Sequence, residues 1–290
     1  MILGLQELMR PPAGMDFDFE HPPGEPSLAP PGGVSWQIFA NPVSLFVGGV
    51  SAVLLELAEP SVRSGVWDHS SFRSNPSLRL RRTGFAAMMT VYGPRSAAEA
   101  MIARVVKMHD NVKGKTEDGD PYQANDPRLL DWVQATAIFG FAQAYHSYVA
   151  QLSDAEKSAA FAEGQEAARL YGATNAPRSW AEWELQLDEM TPRLQASPIL
   201  TEFLDIMEKG AILPAPMRWV QRLLVRAAVD ITPEPVRSFP QLQGRGLRRG
   251  EWFLVQSMGA IARRVSLGSL PPARAARRLG RGERSFSPAV

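Results

Sequence analysis

The sequence has 290 residues, of which 45% are hydrophobic and 21% are charged, and its formal net charge is +1 at pH 7. It contains enough apolar material for a large core, and the small net charge gives no electrostatic reason to expect nucleic-acid binding. Cysteine is absent, which excludes disulfides, thiolate zinc sites, iron–sulfur clusters and thiolate-ligated haem.

The charges are distributed unevenly along the chain. Residues 1–60 contain seven acids and one arginine, whereas residues 231–290 contain eleven arginines and three acids. We expect a basic C-terminal tail over 271–290, either as a solvated terminal face or as a contact for a phosphate, a membrane surface or an acidic partner. Its arginines are Arg274, Arg277, Arg278, Arg281 and Arg284.

Neither a signal peptide nor a membrane span is predicted. The N-terminal MILGLQELMRPPAG lacks a long apolar core flanked by basic residues. The most apolar run, Val43 to Leu57, is shorter than the roughly 20 residues that a spanning helix needs. We therefore expect a cytoplasmic protein, for which peripheral contact with a membrane remains open.

Residues 11–35 are rich in proline and glycine and predict an extended arm over 1–35, followed by a helical domain over 36–270. Beyond the arm, apolar residues recur with helical periodicity, and no stretch alternates with the period of two that is typical of strands. The sequence predicts an all-α fold with a single globular multi-helix domain. The predicted helices lie at about 43–58, 76–91, 96–112, 127–151, 154–171, 180–189, 198–209, 216–229, 247–265 and 272–279.

Capping signals mark the starts of six of these helices. In three, an Asx residue caps exposed backbone N–H groups and a proline occupies the first turn. These pairs are Asn41-Pro42, Asn75-Pro76 and Asp126-Pro127. Three others have the capping-box spacing of serine and glutamate, at Ser96/Glu99, Ser153/Glu156 and Ser179/Glu182.

One histidine lies on the apolar stripe of the helix predicted at 96–112. His109 continues the i, i+3, i+4 series of Met101, Ile102, Val105 and Val112. Burial favours the neutral imidazole, which suits a core histidine bonded to a backbone carbonyl and equally suits a metal ligand. A single inward histidine on an apolar helix also fits the proximal ligand of a haem in a helical pocket.

The preceding helix contains the sequence RLRRT. Arg79, Arg82 and Thr83 are spaced at i, i+3 and i+4 and share one face, which continues with Ala86 and Ala87. Two guanidiniums on a face of small residues favour an anion, a carboxylate or a polarised oxygen opposite them. The alternative is that they pair with acids of other helices or lie at the surface.

The remaining candidates carry less specific signals. Asp68 and His69, in VWDHSSF, are expected on a loop, and His146 aligns with Phe139 and Val149 on a face that predicts packing. The sequence contains no HExxH, Gly-rich phosphate loop, GxSxG or EF-hand pattern.

Six segments, in this order, resemble the rubber oxygenase and MpaB oxygenase family, an all-helical group that includes haem b enzymes cleaving carbon–carbon double bonds. The segments are LLELAEP, GVWDHSSF, RLRRT, VYG, HDNVKG and YQANDPRLLDWV. The resemblance runs from about Trp36 to Tyr148. It implies that His109 is the proximal ligand of a haem b iron and that Arg79, Arg82 and Thr83 line the distal side. It also implies an oxygenase acting with dioxygen on a lipophilic, unsaturated small molecule.

Two positions depart from the family's pattern. Arg82 stands where rubber-cleaving members typically have a lysine that can approach the iron. Because a guanidinium stays protonated, we expect an open or water-filled sixth position, or another distal group, with Arg82 donating hydrogen bonds to bound dioxygen. Gln134 stands where many relatives have histidine. The sequence does not identify the acidic base of the rubber-cleaving enzymes, for which Glu59 and Asp68 are nearby candidates.

These departures keep two alternatives open. One is a haem- or lipophile-binding protein without turnover, acting as a sensor or carrier. The other is a cofactor-free helical protein in which His109 is part of the core.

Overall fold

The structure, a computed structural model, describes residues 18–264 and 268–280. The regular secondary structure of these residues is helical apart from one short antiparallel hairpin, which confirms the predicted all-α fold. The helices are α1 (Val34–Phe39), α2 (Pro42–Ala58), α3 (Pro60–His69), α4 (Pro76–Tyr92), α5 (Arg95–His109), α6 (Pro127–Tyr148), α7 (Asp154–Glu163), α8 (Gln165–Tyr171), α9 (Trp180–Met190), α10 (Pro198–Lys209), α11 (Arg218–Ile231), α12 (Glu234–Arg237), α13 (Glu251–Arg264) and α14 (Pro271–Arg278). The strands are β1 (Lys113–Lys115) and β2 (Pro121–Gln123), with Gly114 opposite Tyr122.

Helices α2 and α6 cross at the centre of the fold with very little space between their backbones. A Cβ added to Gly48 of α2 would lie 2.6 Å from the Cα of Phe141 and 2.7 Å from the carbonyl oxygen of Gly140, both in α6. Only glycine permits this approach, and the helices on either side of the crossing bury a continuous apolar core.

An aromatic stack fills one part of this core. The ring of Trp183, from α9, lies 5.7 Å from that of Trp132 and 4.8 Å from that of Phe139, both in α6. All three rings are buried, so the stack fixes α9 against the central helix.

The three Asx-Pro starts are confirmed. The side-chain oxygens of Asn41, Asn75 and Asp126 accept hydrogen bonds from backbone N–H groups at the beginnings of α2, α4 and α6. In each case proline occupies the first turn, where its missing N–H leaves no partner unsatisfied.

The capping boxes have mixed outcomes. Ser153 and Glu156 form a complete box at the start of α7. Ser179 Oγ accepts from the N–H of Glu182 at the start of α9. The prediction for Ser96 is wrong, because α5 begins one residue earlier and the N–H and hydroxyl of Ser96 both donate to the carboxylate of Glu25.

Several boundaries also differ from those predicted. The helix expected at 96–112 ends at His109 and leads into the hairpin, and the one expected at 154–171 is divided at Gly164, which packs against Ile138. The expected loop around Asp68 and His69 is instead the end of α3. This helix forms because the carboxylate of Glu59 accepts from the N–H of Val62 and caps a new start at Pro60.

The acidic arm and the basic C-terminal helix pack against each other. Arg278 is buried in α14 and donates to the carbonyl oxygens of Phe19 and Glu25, each at 2.8 Å, and to Ser27 Oγ at 2.7 Å. Its guanidinium therefore connects the last described helix to the first described segment of the chain.

Two neighbouring arginines of α14 add ion pairs to this contact. Arg277 Nη2 lies 2.5 Å from Glu20 Oε1, and Arg274 Nε lies 3.3 Å from the same oxygen. The partner of this part of the basic tail is thus an acidic segment of the same chain. Arg281 and Arg284 lie outside the described residues.

No single helix in the described ranges is long and apolar enough to cross a bilayer. Helices α2 and α3 meet that criterion only when taken together, by length and composition, and they are bent by 111° at their junction.

Candidate functional site

Three titratable side chains from separate helices lie close enough to influence one another: Glu56 of α2, Arg79 of α4 and His109 at the end of α5. The charge of Arg79 lowers the pKa of Glu56 and also that of His109. Arg79 therefore interacts electrostatically with both an acid and an imidazole that lie on two other helices.

Glu56 is an isolated acid in an apolar helix. Its neighbours Leu54, Leu55 and Leu57 are fully buried, whereas Glu56 itself keeps part of its surface accessible. Desolvation raises the pKa of Glu56 to about 7, and the attraction of Arg79 offsets this only in part. Partial accessibility combined with strong desolvation is expected of a carboxyl that faces an enclosed space. Such a group can take up or release a proton near neutral pH.

Arg79 is held in place by its own helix. Its guanidinium donates to Thr83 Oγ1, and the Thr83 hydroxyl donates to the carbonyl oxygen of Arg79 at 3.0 Å. Desolvation lowers the pKa of Arg79, the charge of Glu56 opposes that change, and Arg82 adds to it. Arg82 and Thr83 are exposed. Arg79 is thus the most enclosed of the three residues, whereas Arg82 and Thr83 lie at the surface.

His109 is half-buried, and its Nδ1 is enclosed without a hydrogen-bond partner among the residues that the structure describes. Burial lowers the pKa of His109, an effect that Asn125 and Asp110 oppose and Arg79 reinforces. The ring is consequently neutral at physiological pH, which is the form that can coordinate a metal.

Asn125 presents a fixed amide to this histidine. Its Nδ2 donates to the carbonyl oxygen of Val106 at 3.0 Å and to Asp110 Oδ1 at 2.7 Å. These two bonds determine which way the amide faces, and they leave Oδ1 enclosed and without a partner in the described ranges. Asn125 favours the charged form of His109, as expected of a carbonyl oxygen beside an imidazole N–H.

Two other histidines are engaged elsewhere. His69 Nε2 lies 3.0 Å from the hydroxyl of Tyr122, and His146 Nδ1 accepts from the N–H of Leu152 at 2.9 Å. Gln134 Nε2 donates to the carbonyl oxygen of Gly164 at 3.5 Å. His146 and Gln134 thus each bond a backbone group near the end of a helix.

The two acids considered from sequence do not join the cluster. Glu59 is fully buried, where its carboxylate caps α3 and pairs with Arg193 at 3.5 Å. Asp68 is exposed near the end of α3. The acid that interacts with Arg79 is Glu56, which sequence reasoning missed; its signal was a lone carboxylate within an apolar run.

Among residues 18–264 and 268–280, no group of three or more His, Cys, Asp or Glu side chains is arranged to hold a metal ion. Two surface cavities, of about 520 and 750 Å³, have walls that contain none of Glu56, Arg79 and His109. These cavities are therefore separate from the cluster.

The comparisons with known proteins agree with the six sequence segments. The family described as "ER-bound oxygenase mpaB/B'/Rubber oxygenase, catalytic domain" matches residues 36–264. The uncharacterised proteins Rv2237 of Mycobacterium tuberculosis and Mb2261 of Mycobacterium bovis are each 28% identical to the chain over 215 residues, covering 70% of this chain and 83% of theirs. No solved structure gives a significant match. The chain therefore belongs to the ER-bound oxygenase mpaB/B'/rubber oxygenase catalytic-domain family, a family of oxygenases.

Proposed function

We propose that the protein is a haem b-dependent oxygenase in which His109 is the iron ligand. The observation that carries the proposal is a neutral, half-buried imidazole beside a fixed amide oxygen and an enclosed arginine–glutamate pair. Haem iron needs a single ligand on the protein's proximal side, so one histidine is sufficient.

The unpaired atoms of the site fit this assignment. His109 Nδ1 and Asn125 Oδ1 are both enclosed and unpaired among the described residues, and Asn125 raises the pKa of His109. We propose that in the haem-bound protein the proton resides on Nδ1 and is donated to this amide oxygen. The lone pair of Nε2 is left for the metal. A carbonyl oxygen in this position fixes the tautomer and makes the imidazole a stronger ligand.

Bound haem would supply the one-electron and dioxygen chemistry of the reaction. The chain's own residues would supply charge and protons. Arg79, held by Thr83, would stabilise negative charge that develops on oxygen, and Arg82 would add a second cation from the next turn. Glu56, with a pKa of about 7, would accept or return a proton during the reaction.

The substrate that we infer is a lipophilic, unsaturated small molecule. Apart from Glu56, the last seven residues of α2 are apolar, and α6 also buries mainly apolar and aromatic residues. Walls of this kind bind hydrocarbon by burying apolar surface and contribute few polar contacts.

The second candidate is a carrier or sensor that binds haem or a lipophile without turnover. The observation in its favour is Gln134, a neutral amide tied to the backbone of Gly164 where the resemblance leads us to expect an imidazole. That position can therefore take no part in proton transfer.

Oxygen uptake distinguishes these two functions. The haem-loaded protein is mixed with a polyunsaturated lipid or a polyisoprenoid, and dissolved oxygen is followed with an electrode. If the protein is an oxygenase, it consumes oxygen only when substrate is present. Glu56→Gln should then lower the rate of oxygen consumption about 100-fold, as expected for loss of a general base. Glu189→Gln, at an exposed position of α9, is the matched control and keeps the wild-type rate. A protein that binds the lipophile but consumes no oxygen is a carrier.

A further inference from the structure

The exposed apolar side chains of this protein are concentrated on one part of its surface. Of the seven large hydrophobic residues that are exposed within the described ranges, five lie at the start of α11 or on α13. These are Trp219, Trp252, Phe253, Leu254 and Ile261; Trp219 is 55% exposed and Phe253 is 68% exposed. We refer to these five residues and the arginines around them as the α11/α13 face.

Helix α13 packs against the core through only a few residues. Val255 and Gly259 are its buried residues, and the carbonyl oxygen of Gly259 accepts from Asn41 Nδ2 at 3.0 Å. A Cβ at Gly259 would collide with the backbone of Tyr148, so α13 and α6 are in direct backbone contact. Helical geometry then places Phe253, Leu254 and Ile261 on the side opposite this contact. Three large apolar side chains of α13 therefore face outward.

The same face carries an excess of positive charge. Residues 211–264 contain nine arginines and three acids. Six of these arginines have no ion-pair partner in the part of the chain that the structure describes: Arg218, Arg222, Arg248, Arg249, Arg263 and Arg264. Arg218 and Arg222 are close to Trp219 in the sequence of α11, and Arg263 and Arg264 follow Ile261 in α13, so unpaired arginines accompany the exposed apolar residues.

A cavity of about 520 Å³ opens between α11 and α13, with Trp219 and Leu254 in its wall. Arg226 also lines this cavity, but it is neutralised by Glu251 at 2.6 Å. Arg222 and Arg248 line the same cavity and form no direct ion pair with a carboxylate among the described residues. The cavity wall contains four arginines, Arg222, Arg226, Arg245 and Arg248, and two acids, Glu208 and Glu251. It therefore combines apolar residues with an excess of positive charge, as a phosphate attached to an acyl chain would require.

We propose that the α11/α13 face docks onto the surface of an anionic lipid bilayer. Tryptophan, phenylalanine and leucine side chains enter the boundary between headgroups and acyl chains, and arginines around them bind lipid phosphates. A second copy of the chain fits this face less well, because a two-fold contact would bring two sets of unpaired arginines together. The inference does not depend on the proposed cofactor.

Vesicle co-sedimentation tests the proposal with the full chain. Large vesicles of phosphatidylcholine alone are compared with vesicles that contain an equal part of phosphatidylglycerol. We expect binding to the anionic vesicles only, weakening as the salt concentration rises. The double variant Phe253→Ser/Leu254→Ser should lower the partition coefficient at least tenfold, because the burial of two large apolar side chains in the membrane interface is lost. Arg222→Ala/Arg248→Ala should lower it about fivefold for each arginine.

Matched controls come from α9 and the residues before it. Leu185→Ser removes a leucine that is 64% exposed, and Arg178→Ala removes an exposed arginine. Both should bind like the wild type, and far-ultraviolet circular dichroism verifies that every variant is folded. The proposal is overturned if both vesicle types bind equally, if neither binds, or if the α11/α13 variants bind like the controls. A dimer in sedimentation velocity that Phe253→Ser/Leu254→Ser dissociates would assign the face to self-association instead.

Discussion

Glu56, Arg79 and His109 lie on three helices whose local sequences do not indicate that they meet. Their chemistry arises from desolvation: burial moves the pKa of Glu56 upward and the pKa values of Arg79 and His109 downward, so each charged form becomes less favourable. The mutual attraction of Glu56 and Arg79 partly restores both charges. A small change in the surroundings, such as a bound ligand, would therefore shift a proton at this cluster.

The first prediction concerns Glu56 and the pH dependence of stability. The folded pKa of about 7 exceeds the ordinary value of 4.5, so the folded state holds a proton that the unfolded state has released. The contribution of Glu56 is then fully present below about pH 4.5 and is lost as the pH rises to about 7. Glu56→Gln cannot lose a proton, so relative to the wild type it should gain about 2 kcal/mol between pH 5 and pH 8.

Urea denaturation of both proteins at the two pH values measures this difference, because the other titrating groups cancel in the comparison. If wild type and Glu56→Gln change in parallel between pH 5 and pH 8, the carboxyl of Glu56 titrates normally and the account of the cluster is wrong.

The site residues that could be recognised from the sequence have a local pattern around them, whereas the ones that were missed depend on contacts with distant helices. His109 and Arg79 stand out because each interrupts a regular pattern or shares a face with similar groups. Glu56 reads in the sequence as one of the acids that follow an apolar run. Asn125 precedes the helix cap Asp126, so it reads as part of a turn. Their importance comes from contacts with helices far away in the chain, which local periodicity does not encode.

At the level of helices, local capping signals were reliable where no distant group competed for them. All three Asx-Pro starts form because the cap and its N–H partners are neighbours in sequence. Ser96 fails as a cap because Glu25, 71 residues away, takes both of its donors. Glu59 and Pro60 directly follow the helix predicted at 43–58, and they also begin the next helix.

The second prediction concerns the crossing of α2 and α6. Gly48→Ala places a methyl group 2.6 Å from the Cα of Phe141, and backbone cannot move aside as a flexible side chain can. We expect the free energy of unfolding to fall by about 2–3 kcal/mol. Gly84→Ala is the control, because nothing lies within 4 Å of its added Cβ in α4. That substitution should raise stability by about 0.5–1 kcal/mol. Equal effects in chemical denaturation would contradict the close crossing.

At the level of the whole molecule, the first and last described segments of the chain pack against each other. The uneven charge along the sequence predicted a basic tail, but the sequence does not show that acids of the N-terminal arm are its partners. Arg278 is buried with its donors satisfied by the arm, whereas Arg274 and Arg277 pair with Glu20 closer to solvent. The contact explains how a segment rich in proline and glycine, without regular structure, is held against the helical domain.

The third prediction compares two arginines of α14. Arg278→Ala leaves the carbonyl oxygens of Phe19 and Glu25 without their donors, so we expect a loss of about 2–4 kcal/mol in unfolding free energy. Arg277→Ala removes a surface ion pair and should cost less than about 1 kcal/mol. Limited proteolysis should also cut the arm faster in Arg278→Ala. Similar stabilities for the two variants would show that the buried contact does not hold α14 against the first described segment.

The most direct test of the account is an absorption titration of the purified protein with haem, comparing wild type with His109→Ala. We predict a strong Soret band for the wild type and for the control His146→Ala, whose histidine bonds the backbone of Leu152. His109→Ala should lose the band or shift it to that of a weakly ligated iron, and added imidazole should restore it. A wild type that stays colourless with excess haem, or a His109→Ala variant with an unchanged spectrum, would contradict the assignment of His109 as the iron ligand.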